Sequence, residues 1–201
     1  MNATRLLVAC VVALTLASCA TAAAPTPLPV YWEAPQFSGI DQLGRRVDSS
    51  TLRGHVVVAN FIFTNCTDIC PTVVTPKMLE LQKSFRQHGL LGEKVLLASF
   101  TVDPERDTPE ALRDYAGRFG ADHESWRFIH MSEEDVQRVV TGFRLGLRRD
   151  RVAAGDGAAA EAIVHSGRFI LIDPSQQVRA TYLPEDVQPS AVISDARRLL
   201  R

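Results

Sequence analysis

Two cysteines four residues apart, Cys66 and Cys70, are the residues of this chain whose type and spacing best suit chemistry. The continuous apolar run Val56-Val57-Val58-Ala59-Asn60-Phe61-Ile62-Phe63 precedes them, and Pro71 with an apolar-spaced segment follows. They therefore fall where a buried strand ends and a helix begins. The positive end of a helix favours thiolate over thiol, and α/β folds open their binding crevices at the C-terminal ends of parallel strands. Redox dithiols commonly have two intervening residues; here Thr67, Asp68 and Ile69 make three. Positions i and i+4 lie on one side of a helical turn, with about 5–6 Å between Cβ atoms. That spacing suits two thiolates converging on one metal ion. Soft thiolates favour Cu(I), and an added imidazole makes a site that also holds Cu(II).

A third ligand has to come from elsewhere. The candidates are His55, His88, His123, His130 and His165. His55 precedes the buried strand, at the end of the sheet away from the cysteines, and His88 sits at the far end of the first helix. His123 and His130 flank a later strand. His165 lies just before the strand Phe169–Ile172, in a crossover expected to face the cysteines. Topology makes it the leading candidate without deciding the matter.

The elements that must position these residues follow from periodicity and stop signals. After the strand 56–63, a helix runs from Pro71 to about His88-Gly89, and Val95–Val102 is a second buried strand. Thr108-Pro109-Glu110 caps a helix that stops at Gly120. Trp126–His130 is a short strand, and Ser132 starts a helix reaching Phe143, with acidic residues in its first turn. Phe169–Ile172 and Val178–Tyr182 form a hairpin across Asp173-Pro174-Ser175-Gln176, and Val187–Leu200 closes the chain as a helix. Asp150–Ala162, rich in Ala and Gly, reads as a mobile surface loop. This order predicts an α/β layered fold of thioredoxin pattern, with an inserted strand–helix unit, Trp126–Phe143, and a C-terminal hairpin plus helix.

The start of the chain reads as an address. One positive charge in Met1–Arg5 is followed by a 12-residue apolar-to-neutral run, Leu6–Ala17, and then Ser18-Cys19. A short basic start, such a run and small residues at its end describe an export signal over residues 1–18; a membrane span needs about 20 apolar residues. Leu16-Ala17-Ser18-Cys19 resembles the bacterial lipobox, so Cys19 is expected to carry lipid. Residues 19–34, with the Ala- and Pro-rich stretch Ala20–Pro29, are expected to tether a copper-binding domain of residues 35–201. The expected location is the periplasmic face of the bacterial cell envelope. Losing the signal removes Cys10 and one arginine, taking the formal net charge from −1 to −2. No basic block points to nucleic acid. Only Cys66 and Cys70 remain in the domain, in an oxidising compartment.

Three segments carry a resemblance. Phe63-Thr64-Asn65-Cys66-Thr67-Asp68-Ile69-Cys70-Pro71 resembles the F-T-x-C-P-D-x-C-P segment of the Sco/SenC copper chaperones. Val102-Asp103-Pro104-Glu105-Arg106-Asp107-Thr108-Pro109 matches that family's V-D-P-E-R-D-T-P segment without a gap, and Val164-His165-Ser166 resembles its His-Ser element. They lie in order between residues 63 and 166, within a resemblance that covers roughly residues 35–200. Thr67 departs from the family's usual Pro, which leaves the ligands untouched and a redox role more open. The resemblance implies a thioredoxin fold holding one copper by Cys66, Cys70 and His165. It also implies delivery to the dinuclear copper centre in subunit II of cytochrome c oxidase or another respiratory oxidase, with other copper chaperones as further partners.

Alternatives stand beside that reading. Cys66 and Cys70 could form a redox pair that reduces the oxidase subunit's cysteines or other envelope proteins, or serve a peroxide-reducing relative; a copper sensor would bind without transferring. A structural disulfide would close too short a loop to constrain the unfolded chain much. Asp68 is either an acceptor for the metal ligands or a solvated side chain. Asp103, Glu105, Arg106 and Asp107 read as a hydrogen-bonded turn and helix cap near the site, and Asp103 is a candidate neighbour of the ligands. Met78 and Met131 read as packing residues.

Overall fold

The computed structural model describes residues 26–153, 159–165 and 167–200; residues 1–25, with the signal and Cys19, lie outside them. The chain enters through a two-residue strand β1 (Trp32–Glu33), the hairpin β2 (Ser38–Asp41) and β3 (Arg46–Asp48), and a short helix α1 (Ser49–Leu52). There follow β4 (Val56–Ile62), α2 (Thr75–Gln87), β5 (Val95–Thr101), α3 (Pro109–Phe119), β6 (Trp126–His130) and α4 (Glu133–Gly142). A ribbon of β7 (Leu147–Ala153) and β8 (Ala159–His165) precedes β9 (Phe169–Ile172), β10 (Gln177–Tyr182) and α5 (Pro189–Leu199).

Eight strands form one sheet in the order β1-β10-β9-β4-β5-β6-β2-β3. β4, β5 and β6 run parallel, and β9 lies antiparallel beside β4. All residues of β4 and β5 are buried, as the unbroken apolar runs imply. Successive side chains still serve opposite faces. Val56, Val58 and Ile62 join a core with Met78, Leu81 and Phe85 of α2, Tyr115 of α3 and Ile193 of α5. Val57, Ala59 and Phe61 join a second core with Val136, Val139 and Val140 of α4. Helices cover both faces, and the fold is the α/β architecture expected from the sequence. Among the described residues no helix is long and apolar enough to cross a membrane.

The caps are also as expected. The Thr108 hydroxyl accepts from Ala111 N–H, Gly120 ends α3 in the left-handed region at φ 68°, and Ser132 accepts from Asp135 N–H. Three expectations are corrected. First, β1 pairs with β10, Trp32 opposite Val178, so the folded part begins inside the segment read as a tether. Arg179 donates to the Pro29 carbonyl at 2.8 Å as well. A two-residue strand has no period from which to be read. Second, β2, β3 and α1 precede the first element the sequence suggested, and β2 extends the sheet beyond β6. Third, the segment 150–162 is largely the β7–β8 ribbon, paired from Leu147↔His165 to Ala153↔Ala159, and its tip, 154–158, is outside the described residues. Its Arg, Ala and Gly composition hides the strands because the ribbon meets its backbone hydrogen bonds internally and needs little apolar alternation.

In the parallel sheet Ile62 sits opposite Thr101 and Phe100 opposite Ile129. The C-terminal ends of β4, β5 and β6 are therefore level, and the three segments that leave them share one edge of the molecule.

Candidate metal site

The cysteine loop leaves that edge. Cys66 N–H donates to Phe63 O at 3.3 Å, closing a turn after β4. Asn65, Thr67 and Asp68 are exposed, Cys66 is half-buried and Cys70 is fully buried. Cys70 opens a wide π-type turn, Cys70–Val74, in which Thr75 N–H reaches back five residues to Cys70 O. Proline explains the widening: Pro76, with no N–H, cannot make the ordinary bond to the residue four before it. Thus Cys66 precedes the helical coil, and the two thiols do not meet across a regular helical turn as the spacing suggested. They meet by loop closure, in a thiol–thiol hydrogen bond, and neither is in a disulfide.

Electrostatics at Cys70 run opposite to expectation. Burial pushes its thiol well above the ordinary value, and the hydrogen bond it shares with Cys66 pushes further. A hydrogen bond with the Phe63 backbone pulls the other way, while negative charge on Cys66 or Asp107 adds to the rise. Desolvation outweighs the helix dipole here. Behind the pair, the buried Tyr115 hydroxyl bonds Thr75 Oγ1 at 2.7 Å, and burial pushes its phenol up to about 12.

The loop after β5 holds the cysteine loop in place. Asp107 is fully buried, and Thr64 N–H donates to both of its carboxylate oxygens at 3.1 Å. Thr64 Oγ1 donates to Asp107 Oδ1 at 2.5 Å, and Thr101 Oγ1 donates to Oδ2. Burial raises the Asp107 carboxyl, these hydrogen bonds oppose the rise, and the nearby charge of Asp103 adds to it. The turn itself is closed by Asp107 N–H to Asp103 O at 2.9 Å. Asp103, 1% exposed, takes Arg106 Nε on Oδ2 at 2.5 Å and has Arg149 Nη1 4.0 Å from Oδ1. Asp103 thus faces arginines. The exposed Asp68 gives its backbone carbonyl to Thr72 Oγ1 at 2.8 Å. The sequence places Asp107 in a hydrogen-bonded turn and helix cap near the site; its link to Thr64, 43 positions away, has no local signal.

The third segment is the β7–β8 ribbon. His165 is the last residue of β8, opposite Leu147, and its side chain is outside what the structure describes. Leu147 and Ile163 pack against the second core, and Arg149 Nη2 donates to Val102 O at 2.9 Å and to Glu133 Oε2 at 2.6 Å. Two residues beyond His165 the buried Gly167 abuts the cysteine loop: a Cβ there would lie 3.1 Å from Ile69 Cδ1 and 3.0 Å from Pro184 Cγ. The segment bearing His165 and the loop bearing the cysteines are therefore in contact. Three of the other four histidines are engaged elsewhere, and His55 lies before β4, its buried Nδ1 without a hydrogen-bond partner among the described residues. His130, at the end of β6, donates from Nδ1 to Asp107 O at 3.0 Å. His88 bonds Ser84 O at 2.8 Å, and His123 bonds Gln42 at 3.2 Å. Met78 and Met131 are core residues. Among the described residues no three His, Cys, Asp or Glu side chains converge to hold a metal ion. The donors that fit one are the thiol pair, soft and adjacent, with an imidazole still to be added.

In the metal-free chain iodoacetamide at pH 7.5 should modify Cys66 first, with Cys70 protected by burial and by its retained proton; peptide mass spectrometry on Cys66→Ser and Cys70→Ser reads the order. Equal rates, or Cys70 first, would contradict the geometry. Asp107→Ala leaves Thr64 and Thr101 donors unpaired and should lower stability by about 3 kcal/mol, read as a reduced urea midpoint with an unchanged slope. It should also narrow the gap between the two alkylation rates.

The chain is similar to known proteins in sequence and in fold. A sequence model described as SCO1/SenC matches residues 30–201. The SCO1 protein homolog of Bacillus subtilis is 29% identical over 171 residues, covering 84% of this chain and 83% of that one. The solved structure of BsSco, described with a disulfide switch and as a member of the Sco family of cytochrome c oxidase assembly proteins, is 28% identical with a TM-score of 0.70, over 87% of this chain and 98% of that one. ScoI of Bradyrhizobium japonicum with copper bound is 22% identical with a TM-score of 0.69, over 83% of this chain and 99% of that one, a likeness of fold. With its cysteine pair and its 102–108 loop inside the matched span, this chain belongs to the SCO1/SenC family.

Proposed function

We propose that this chain binds one copper ion through the thiolates of Cys66 and Cys70 and the imidazole of His165, and hands it to the dinuclear copper centre in subunit II of cytochrome c oxidase. The observation that carries the reading is the pair of touching thiols at the C-terminal end of β4, with the chain just beyond His165 packed on Ile69. Family membership, the copper in a relative of the same fold and the oxidase assembly role stated for BsSco support it. The lipobox-like Leu16–Cys19 supports anchoring by lipid on Cys19 at the periplasmic face of the envelope, where such an oxidase subunit and other copper chaperones would be met.

This chain's own residues set the chemistry. Two thiolates select Cu(I), and the imidazole extends the site to Cu(II). Cys70 must release its proton to bind, so binding and deprotonation are coupled. Half-buried Cys66 is the thiol an incoming ligand reaches first, which makes it the point where thiolates of a recipient exchange for those of the donor. Asp107 holds the loop in register through Thr64 while that exchange proceeds.

A second reading rests on the same contact. Cys66 and Cys70 could pass two electrons and two protons to a disulfide on the oxidase subunit, ending as a disulfide while the partner's becomes two thiols. Exposure makes Cys66 the attacking sulfur, and buried Cys70 would resolve the mixed disulfide.

Titration of copper into the chain lacking residues 1–18 and carrying Cys19→Ser separates the two. Delivery predicts one copper per chain, with apparent affinity rising about tenfold per pH unit for each proton released, because the raised Cys70 thiol is still protonated at neutral pH. His165→Ala should weaken binding at least about 100-fold. Binding indifferent to His165, with full thiol–disulfide exchange activity, would favour the second reading.

A further inference from the structure

The β7–β8 ribbon that bears His165 is not hydrogen-bonded into the main sheet; it is a separate two-stranded sheet. Such a ribbon is marginal unless something fixes it. Part of the hold is apolar, through Leu147 and Ile163 on the second core. Polar hold comes from Arg149, on β7 opposite Ile163 and so two cross-strand pairs from the His165↔Leu147 position.

We propose that Arg149 is a positioning residue for copper binding: it latches the ribbon, and with it the His165 backbone, to the same loop that anchors the cysteines. The inference rests on the reading of His165 as the third copper ligand. Arg149 Nη2 reaches both Val102 O, at 2.9 Å, and Glu133 Oε2, at 2.6 Å, while Nη1 stands 4.0 Å from Asp103 Oδ1. That carboxylate oxygen is buried and has no hydrogen-bond partner among the described residues. A guanidinium 21% exposed therefore meets a backbone carbonyl, a helix α4 carboxylate and a buried negative charge at once.

Val102 makes this more than a surface ion pair. Its N–H donates to Ile62 O at 2.9 Å, at the end of β4 where the cysteine loop starts, while its carbonyl takes Arg149. Five positions on, Asp107 holds Thr64, two residues before Cys66. One short loop thus fixes the cysteines from one side and the ribbon from the other. The planar fork is what allows several acceptors to be served together; an ammonium is a single point of charge and keeps only part of the hold. Glu133 is half-exposed, and an isolated exposed pair contributes little. The buried carbonyl and Asp103 carry the larger share.

The test is a double-mutant cycle between Arg149 and His165, in the chain lacking residues 1–18 and carrying Cys19→Ser. Cu(I) affinity is read by competition with a chromophoric chelator, and Cu(II) nitrogen ligation by electron paramagnetic resonance. Arg149→Ala should weaken copper binding about tenfold and diminish the nitrogen signature, Arg149→Lys should fall between it and the native chain, and thermal unfolding should shift little. In the His165→Ala background, Arg149→Ala should have no further effect. Native affinity and spectrum in Arg149→Ala, with His165→Ala impaired, would overturn the latch and leave the ligand reading intact. An equal loss in both backgrounds would also overturn it, because Arg149 would then act on something other than His165. Native binding by His165→Ala would overturn the ligand reading and the latch with it. Should Arg149→Ala not fold, Arg149→Lys and Glu133→Gln carry the same cycle with smaller expected losses.

Discussion

The buried carboxylate of Asp107 is the joint on which the site depends. It takes Thr64 by backbone and hydroxyl and Thr101 by hydroxyl, tying the loop after β4 to the end of β5. Besides that joint, the cysteine loop is tied by Cys66 N–H to Phe63 O and by the hydrogen bond between Cys70 and the Phe63 backbone. The carboxyl is itself raised by burial, so the arrangement sets desolvation of one acid against the fixing of a loop. His130 completes the level edge by donating to the same residue's carbonyl, so the ends of β4, β5 and β6 meet around Asp107.

The two thiols are placed unequally, and that inequality organises the chemistry. Cys70 is sunk among core residues and keeps its proton in the free chain; Cys66 stands half in solvent. A metal ion relieves the unfavourable burial by replacing the proton with a cation that both sulfurs can share. The same inequality would suit a redox pair, with one sulfur accessible and the other protected. Discrimination between the two therefore falls on the His165 segment, which the proposed metal site requires and thiol exchange does not.

The sequence made much of this visible where signals are local. The buried runs 56–63 and 95–102, the caps at Thr108 and Ser132 and the stop at Gly120 predicted the parallel strands and helices that frame the site. The Cys66/Cys70 contact was legible in kind, though its geometry was not: the proline-driven widening at Cys70–Val74 replaced a regular turn, and burial reversed the expected sense of the thiol's shift. Long-range features left no trace. Asp107 joins Thr64 across 43 positions, Arg149 joins Val102 across 47, and β1 pairs with β10 at the opposite end of the chain. The β7–β8 ribbon read as a loop because its strands satisfy each other and not the core. Cys19 and the signal lie outside the described residues and stand on the sequence alone.

The most direct test is the copper coordination itself, by X-ray absorption fine structure on the chain loaded with one equivalent of Cu(I). The account predicts two sulfur scatterers and one imidazole nitrogen per copper, with the outer-shell pattern of a histidine ring that vanishes in His165→Ala. A sulfur-only shell, or a nitrogen contribution that survives that substitution, would contradict it.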